Sequence, residues 1–196
     1  MILNLPNVLT LSRVAVIPVF VASFFLESPL ANWVALGLFV AAGATDYFDG
    51  FFARRREQSS DFGRFLDPIA DKLLVATALL MLAGFGRIAG VALIAAAIVL
   101  LREIVISGLR EYLGALNVTV PVSKLAKWKT TVQMVAIGFL IVGAAGPAAM
   151  PTVLVGEILL WIAALLTIVT GYDYMRAGMR HILGRDDGAR AGGAAE

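Results

Sequence analysis

The sequence predicts an all-α integral membrane protein with six transmembrane helices, and composition and chain length together indicate this fold class. Apolar residues make up 60% of the 196 residues and charged residues only 15%, with a mean hydropathy of +0.87. These values lie outside the range of ordinary water-soluble domains. Because a membrane-spanning helix needs about 20 mostly apolar residues, the chain has room for six spans and little else. The lack of cysteine excludes disulfides, thiolate nucleophiles and cysteine metal ligands.

Apolar segments bounded by proline, glycine or charged residues predict the six helices in turn. The predicted ranges are 7–26, 32–54, 66–85, 88–113, 127–145 and 153–176. Pro68 is expected in the first turn of helix 3, where its missing N–H costs little. The N-terminal segment has no basic stretch before its apolar run, so we expect it to remain as helix 1. Residues 1–180 are expected to form one transmembrane domain and 181–196 a flexible cytoplasmic tail.

The distribution of lysine and arginine predicts the orientation of the helices. Residues 54–64, residues 102–129 and the C-terminal tail carry nearly all of these cations, which favour the cytoplasmic side of a membrane. Arg87 is the exception. With an even number of spans, both termini are then expected in the cytoplasm, and the expected setting is a bacterial plasma membrane.

Four aspartates lie at the predicted cytoplasmic ends of helices 2 and 3: Asp46, Asp49, Asp67 and Asp71. Spacings of three and four residues place each pair on one helix face, and a short loop makes the two helices antiparallel neighbours. A carboxylate near hydrocarbon costs at least ~2.5 kcal/mol on insertion scales, so four clustered anions need a compensating cation. Mg²⁺ commonly shares a few carboxylates with substrate phosphates. The pattern therefore predicts a metal site that also receives a phosphorylated substrate, at the cytoplasmic ends of helices 2 and 3.

Helix capping explains only part of this pattern. Asp67 fits a cap, since it precedes Pro68 at a predicted helix start. Asp46 and Asp49 lie at a C-terminal helix end, where the helix dipole disfavours anions, so capping does not explain them.

The residues between the aspartates suit a nucleotide site. Gly50, Ala53 and Gly63 lack bulk, which lets a nucleotide or a neighbouring helix approach closely. Arg54 can contact a phosphate or pair with an aspartate.

A basic cluster follows helix 4 on the same side of the membrane, and it consists of Arg102, Arg110, Lys124, Lys127 and Lys129. Such a cluster can bind a phosphate of a second substrate, because arginine binds phosphate with two N–H groups and lysine acts as a point charge. The preference of cations for the cytoplasmic side and for anionic lipids explains the cluster equally well. On helix 1, Asn7, Thr10 and Arg13 are candidates to line the same cavity, and snorkelling of Arg13 to the interface is the alternative.

The eight residues Asp46, Asp49, Gly50, Ala53, Arg54, Gly63, Asp67 and Asp71 match the pattern D-x2-D-G-x2-A-R-x8-G-x3-D-x3-D. On these positions the chain resembles the CDP-alcohol phosphatidyltransferase family. The resemblance implies six transmembrane helices, a homodimer, and transfer of a phosphatidyl group from CDP-diacylglycerol to an alcohol with release of CMP. It also implies that Asp46, Asp49 and Asp67 bind Mg²⁺ or Mn²⁺, that Asp71 is a further ligand or the catalytic base, and that the small residues accommodate the cytidine nucleotide.

Further segments, including NLPNVLTLSRVAVIPVF, KLAKWKTTVQM and TGYDY, resemble the branch of this family that uses sn-glycerol 3-phosphate. The resemblance extends to about Arg180, with Ala126 at a position where glycine is expected. It implies that Arg110, Lys124 and Lys127 contact the phosphate of glycerol 3-phosphate. Inositol phosphate or another alcohol is the alternative acceptor, and no nucleic-acid partner is expected.

Two other classes of membrane protein also use acidic residues. Intramembrane prenyltransferases bind a metal diphosphate with two aspartate motifs, but those motifs lie far apart in a longer chain. Cation transporters use acidic residues near the membrane midplane, in repeated halves. Both classes fit the clustered aspartates less well than the phosphatidyltransferase pattern does.

Overall fold

The computed structural model describes residues 5–26, 28–56, 61–116, 118 and 123–192, and helices dominate these ranges. The helices are α1 (Leu5–Ser23), α2 (Pro29–Arg56), α3 (Asp61–Gly84), α4 (Ala92–Ala115), α5 (Lys124–Val142) and α6 (Thr152–Gly192), with a short 3₁₀ turn at Gly143–Ala145. No strand occurs within the described ranges. The predicted all-α fold with six helices is confirmed.

Several described helical segments are apolar enough to lie in a bilayer. Within the described ranges, Ala92–Ala115, Leu125–Ala145 and Thr152–Ile182 are long and apolar enough to cross it, and Thr10–Ser23 and Pro29–Thr45 are shorter apolar segments. The chain is therefore a multi-pass membrane protein.

Helix α3 begins at Asp61, five residues before the predicted start at residue 66. Pro68 is therefore the eighth residue of the helix, and the prediction that it occupies the first turn is wrong. Its missing N–H leaves only the carbonyl four residues earlier without a helical hydrogen bond. Asp67 consequently lies inside α3, so helix capping does not explain this aspartate either.

Helix α6 extends to Gly192, well beyond the predicted end at residue 176. From Met175 to Gly192 the chain has four arginines, three alanines and two methionines, which favour helix, and no proline, and these outweigh its four glycines. The helix therefore continues past the point where the apolar stretch ends. The division of the chain at residue 180 stays a prediction.

Close packing of α5 against α6 forms the centre of the bundle, with α2 on one side of α5 and α4 on the far side of α6. Helix α1 packs against α2 and α3. At Gly156 of α6, a Cβ atom would lie 2.7 Å from Cγ of Leu140 on α5, so the missing side chain lets the two helices approach. Small residues at such contacts are typical of helix association in membranes.

Arg87 marks one end of the bundle. It lies in the turn between α3 and α4 and donates hydrogen bonds to Oδ1 of Asn32, near the start of α2, and to the carbonyl of Ile141, near the end of α5. Consequently the end of α2, the start of α3, the end of α4 and the start of α5 lie at the opposite end, where the predicted site is.

Candidate active site

The four predicted metal ligands lie on two helices whose backbone is described throughout. Asp46 and Asp49 are in the last three turns of α2, and Asp67 and Asp71 are in the first three turns of α3. Both segments are helical across these positions, so the three- and four-residue spacings keep each pair on one helix face. The two helical segments that were predicted to carry the aspartate pairs are therefore present.

Several predicted site residues have side chains outside the described part of the structure: Asp46, Asp49, Ala53, Arg54, Asp67 and Lys124, as well as Asn7 on helix 1. Among the side chains that are described, no group of three or more histidine, aspartate or glutamate residues could hold a metal ion. The convergence of the four carboxylates stays a prediction, as does the approach of a nucleotide to Gly50 and Gly63.

Asp71 is the member of the four whose side chain is described. It is 51% exposed, and its Oδ2 lies 4.0 Å from Nζ of Lys72. The carboxylate lines a cavity of about 500 Å³ between α3, α4 and α5. Small-molecule sites in proteins have volumes of this order. Asp71 is therefore open to a compartment that can receive a substrate.

The cavity has mostly apolar walls with a few polar groups. Leu73 of α3, Leu100 of α4 and Met134 of α5 are among the apolar lining residues. The polar lining residues are Asp71, Lys72, Glu103, Ser107, Glu111, Thr130 and Gln133. An apolar pocket with a small number of placed polar groups is the usual construction of a ligand site.

A charged cluster lies beside the cavity and joins α4, α5 and α6. Nζ of Lys129, which is 3% exposed, donates to Oε1 of Glu103, and Nη1 of Arg102 lies 3.8 Å from the same carboxylate oxygen. Nη2 of Arg102 donates to Oγ1 of Thr170 at 3.2 Å. At Gly171 a Cβ atom would lie 3.1 Å from Cγ of Arg102, so the glycine makes room for this side chain. Within the described residues, two cations thus share one carboxylate.

The basic residues predicted to contact an acceptor phosphate lie at the same end of the bundle. Arg110 and Lys127 are both exposed, and Cζ of Arg110 lies 5.7 Å from the centre of the Tyr174 ring. Lys124 is the first residue of α5, after Ser123, whose hydroxyl accepts from the N–H of Ala126. The three residues therefore lie at the same end of the bundle as the cavity, and their contact with a phosphate stays a prediction.

Arg13 is only 1% exposed and lies inside the bundle, as does Thr10. A snorkelling arginine would expose its guanidinium at the membrane surface. The snorkelling interpretation of Arg13 is therefore wrong.

Glu103, Ser107 and Gln133 were not among the residues predicted for the site. Glu103 and Gln133 carried a usable signal, since each is a polar residue within a predicted apolar span. Such residues usually face a bundle interior or a cavity, as they do here.

A multi-pass helical bundle, with carboxylates on two helices and a cavity beside them, defines a membrane enzyme. The comparison with protein families identifies which one, since the profile of the CDP-alcohol phosphatidyltransferases matches residues 3–169. The chain belongs to this family.

Individual relatives match over most of both chains. A Rickettsia bellii protein is 49% identical over 174 residues, covering 89% of this chain and 94% of its own. A Pseudomonas fluorescens protein is 42% identical, covering 92% of each chain, and a Cereibacter sphaeroides protein is 38% identical, covering 91% of this chain and 97% of its own. All three relatives are named CDP-diacylglycerol--glycerol-3-phosphate 3-phosphatidyltransferase.

Proposed function

We propose that this chain transfers the phosphatidyl group of CDP-diacylglycerol to sn-glycerol 3-phosphate, forming phosphatidylglycerophosphate and CMP in phospholipid biosynthesis. The observation that carries the proposal is the shared name of relatives from three bacterial genera, at 38% to 49% identity over about nine-tenths of the chain. The eight-residue signature at positions 46–71 supports the same chemistry independently.

The carboxylates on α2 and α3 fit a hard divalent cation. Asp46, Asp49, Asp67 and Asp71 supply only oxygen donors, which Mg²⁺ and Mn²⁺ prefer, and the helical spacing keeps each pair on one face. These residues would hold one or two such ions. When bound, the ions would offset the negative charge that develops on the departing CMP.

Asp71 is the proposed catalytic base. One hydroxyl oxygen of the acceptor forms a bond to the phosphorus of the phosphatidyl group, and the bond from that phosphorus to CMP breaks, with the electron pair leaving on CMP. The proton of the attacking hydroxyl passes to Asp71. The open position of this carboxylate on the cavity supports this role.

The surrounding residues are assigned by their chemistry. Gly50, Ala53 and Gly63 give room for the cytidine nucleotide, and Arg54 contacts its phosphates. Arg110, Lys124 and Lys127 bind the acceptor phosphate at the cavity mouth.

The proposed setting follows from the two substrates. The lipid donor arrives through the bilayer, while the phosphorylated acceptor arrives from the cytoplasm of a bacterial cell, so the site belongs at the cytoplasmic face of the plasma membrane. Both termini then lie in the cytoplasm. The assembly is proposed to be a homodimer.

The test is release of CMP by the purified full chain in detergent, supplied with CDP-diacylglycerol and Mg²⁺ or Mn²⁺. Glycerol 3-phosphate, inositol phosphate and serine are compared as acceptors. We expect release with glycerol 3-phosphate, its loss with a chelator and its return with added metal. No release with any acceptor would overturn the proposed chemistry, and a preference for inositol phosphate or serine would overturn the acceptor.

The role of Asp71 is tested by Asp71→Asn, which keeps the shape of the side chain and removes its basicity. We expect kcat to fall by roughly 10²- to 10⁴-fold, the usual contribution of a general base. Glu157→Gln is the matched control, because it also neutralises one carboxylate but lies near the start of α6, away from the cavity. Near-normal turnover by Asp71→Asn would show that another group takes the proton.

A further inference from the structure

Gln133 is a buried polar side chain in an otherwise apolar part of α5. It is 2% exposed, lies one helical turn beyond Lys129, and lines the same cavity as Asp71. Among the described residues, no donor lies within hydrogen-bonding distance of its Oε1. An amide oxygen buried without a donor is unfavourable, and methionine or leucine would fill the same space without this cost. Because Gln133 is a lining residue of the cavity, a ligand bound there can supply the missing donor.

The lining of the cavity indicates the chemistry of that ligand. Asp71, Glu103 and Glu111 are carboxylates, which only accept hydrogen bonds when ionised, and the hydroxyl of Thr130 already donates to the carbonyl of Ala126. Lys72 is the one ammonium group among the lining residues that the structure describes. Carboxylates thus outnumber ammonium groups in the described lining, and these acceptors suit a ligand that brings several hydroxyl groups.

The charges around the cavity also indicate which end of a phosphorylated alcohol enters it. Lys129 and Arg102 already share Glu103, and Nζ of Lys72 lies 4.0 Å from Oδ2 of Asp71, so each of these cations has a carboxylate partner and is less available to the acceptor phosphate. The exposed cations Arg110 and Lys127 lie outside the lining, at the end of the bundle where α4 ends and α5 begins. A polyol phosphate would therefore enter with its hydroxyl groups inward and its phosphate outward.

Gln133 and Asp71 line the same cavity from two different helices, α5 and α3. A cavity of about 500 Å³ has room for an alcohol of the size of glycerol phosphate between them. An alcohol whose reacting hydroxyl is at Asp71 can therefore direct its neighbouring hydroxyl toward Gln133.

Resting on the proposed function, we infer that Gln133 determines acceptor specificity, its amide oxygen accepting a hydrogen bond from the hydroxyl of glycerol 3-phosphate that does not react. The reacting hydroxyl is the primary one, at Asp71, and the secondary hydroxyl is the group that Gln133 recognises. A pocket that hydrogen-bonds a substrate hydroxyl discriminates against an analogue that lacks it, because the buried polar group then has no partner.

The test compares two acceptors on two enzymes. 3-Hydroxypropyl phosphate keeps the primary hydroxyl and the phosphate of glycerol 3-phosphate but lacks the secondary hydroxyl. We expect the wild-type chain to prefer glycerol 3-phosphate in kcat/KM by roughly 10- to 100-fold, as expected when one buried neutral hydrogen bond is lost. In Gln133→Met the preference should fall to within about 3-fold, mainly through slower use of glycerol 3-phosphate.

Thr167→Val is the matched control. Thr167 is also fully buried, its Oγ1 also has no partner among the described residues, and it lies on α6 outside the lining of the cavity. This variant should keep the wild-type preference, which separates recognition of the acceptor from a general effect of removing a buried polar group. If Gln133→Met does not fold, Gln133→Asn gives the same comparison, since it withdraws the amide by one methylene and keeps its chemistry.

The possible outcomes distinguish the role of Gln133 from the proposed function of the chain. If the wild-type chain releases CMP with glycerol 3-phosphate but uses both acceptors equally well, the role of Gln133 is overturned and the proposed function stands. The same holds if the Gln133 variants keep the wild-type preference, which would leave Gln133 with a structural role only. If no CMP is released with glycerol 3-phosphate, the proposed function itself fails.

Discussion

The two ends of the bundle use buried polar groups in opposite ways. At the end marked by Arg87, the guanidinium donates to Asn32 and to the carbonyl of Ile141, and its Cζ lies 5.0 Å from the centre of the Phe24 ring. Asn32 in turn donates to the carbonyl of Val142 at 3.2 Å. Arg87 therefore joins the turn after α1, the helices α2 and α5, and the turn between α3 and α4.

At the cavity end, the polar groups keep unused hydrogen-bonding capacity. Two cations, Arg102 and Lys129, share Glu103, and among the described residues Nε of Arg102 and Oε1 of Gln133 have no hydrogen-bond partner. The difference separates a structural role from a functional one, because groups that the protein already satisfies stabilise the fold, whereas an unsatisfied group on a cavity-lining residue such as Gln133 is available to a ligand. It also explains why Arg87 departs from the charge bias that predicts orientation, since protein acceptors on α2 and α5 bind this partly buried cation.

The largest effect is expected from breaking the ion pair at the cavity end. Lys129→Met leaves the carboxylate of Glu103 without its nearest cation and should lower the free energy of unfolding by about 3–4 kcal/mol. The remaining cation, Arg102, is 3.8 Å from Glu103 and limits the loss. The measurement is unfolding in detergent by titration with sodium dodecyl sulfate.

The double variant Lys129→Met/Glu103→Gln separates the charge effect from lost packing. Without the carboxylate there is no buried anion to compensate, so most of the lost stability should return. A double variant no more stable than Lys129→Met would show that the two residues are not energetically coupled. The loss of stability would then come from packing and not from the unpaired charge of Glu103.

At the opposite end, Arg87→Met should lower the free energy of unfolding by about 2–3 kcal/mol, because Asn32 and the carbonyl of Ile141 lose a charged donor. Arg87→Lys keeps the charge but not the planar fork that reaches both acceptors, so an intermediate loss is expected. CMP release per folded protein should not change in either variant. Normal stability with reduced turnover would contradict the structural role of this end.

The sequence predicts the helices well because apolarity and span length are local properties. It fails at two boundaries for a shared reason. The polar start of α3 at Asp61 and the charged end of α6 at Gly192 are helical without being apolar, so a criterion based on membrane hydropathy misses both. Helix propensity continues where the apolar stretch stops.

Only the part of the site that lies within one continuous stretch of sequence is predictable. Asp71 and its three companions fall within 26 residues of a fixed pattern, whereas Lys129 meets Glu103 across 26 positions on a different helix, and Arg87 meets Asn32 across 55. Such pairs depend on how the helices pack, which spacing along the chain does not reveal. Gln133 was missed for the same reason, since its cavity is formed by three helices.

The smallest effects on stability and turnover should come from substituting two glycines of α6, one near each end of the bundle. In Gly156→Ala the new Cβ would lie 2.7 Å from Cγ and 3.2 Å from the backbone nitrogen of Leu140. Because backbone cannot move aside without separating α5 from α6, we expect a loss of about 1–2 kcal/mol in the free energy of unfolding. Turnover per folded protein should stay at the wild-type level.

Gly171→Ala is the matched variant on the same helix, and its expected result is reversed. The new Cβ would lie 3.1 Å from Cγ and 3.2 Å from Nε of Arg102, a long side chain that can move aside, so stability should change by less than about 0.5 kcal/mol. Moving Arg102 disturbs its contacts with Thr170 and Glu103 beside the cavity, so kcat/KM for glycerol 3-phosphate should fall several-fold. Equal losses of stability in both variants, with turnover unchanged in both, would show that the two ends of the bundle do not differ in the way proposed.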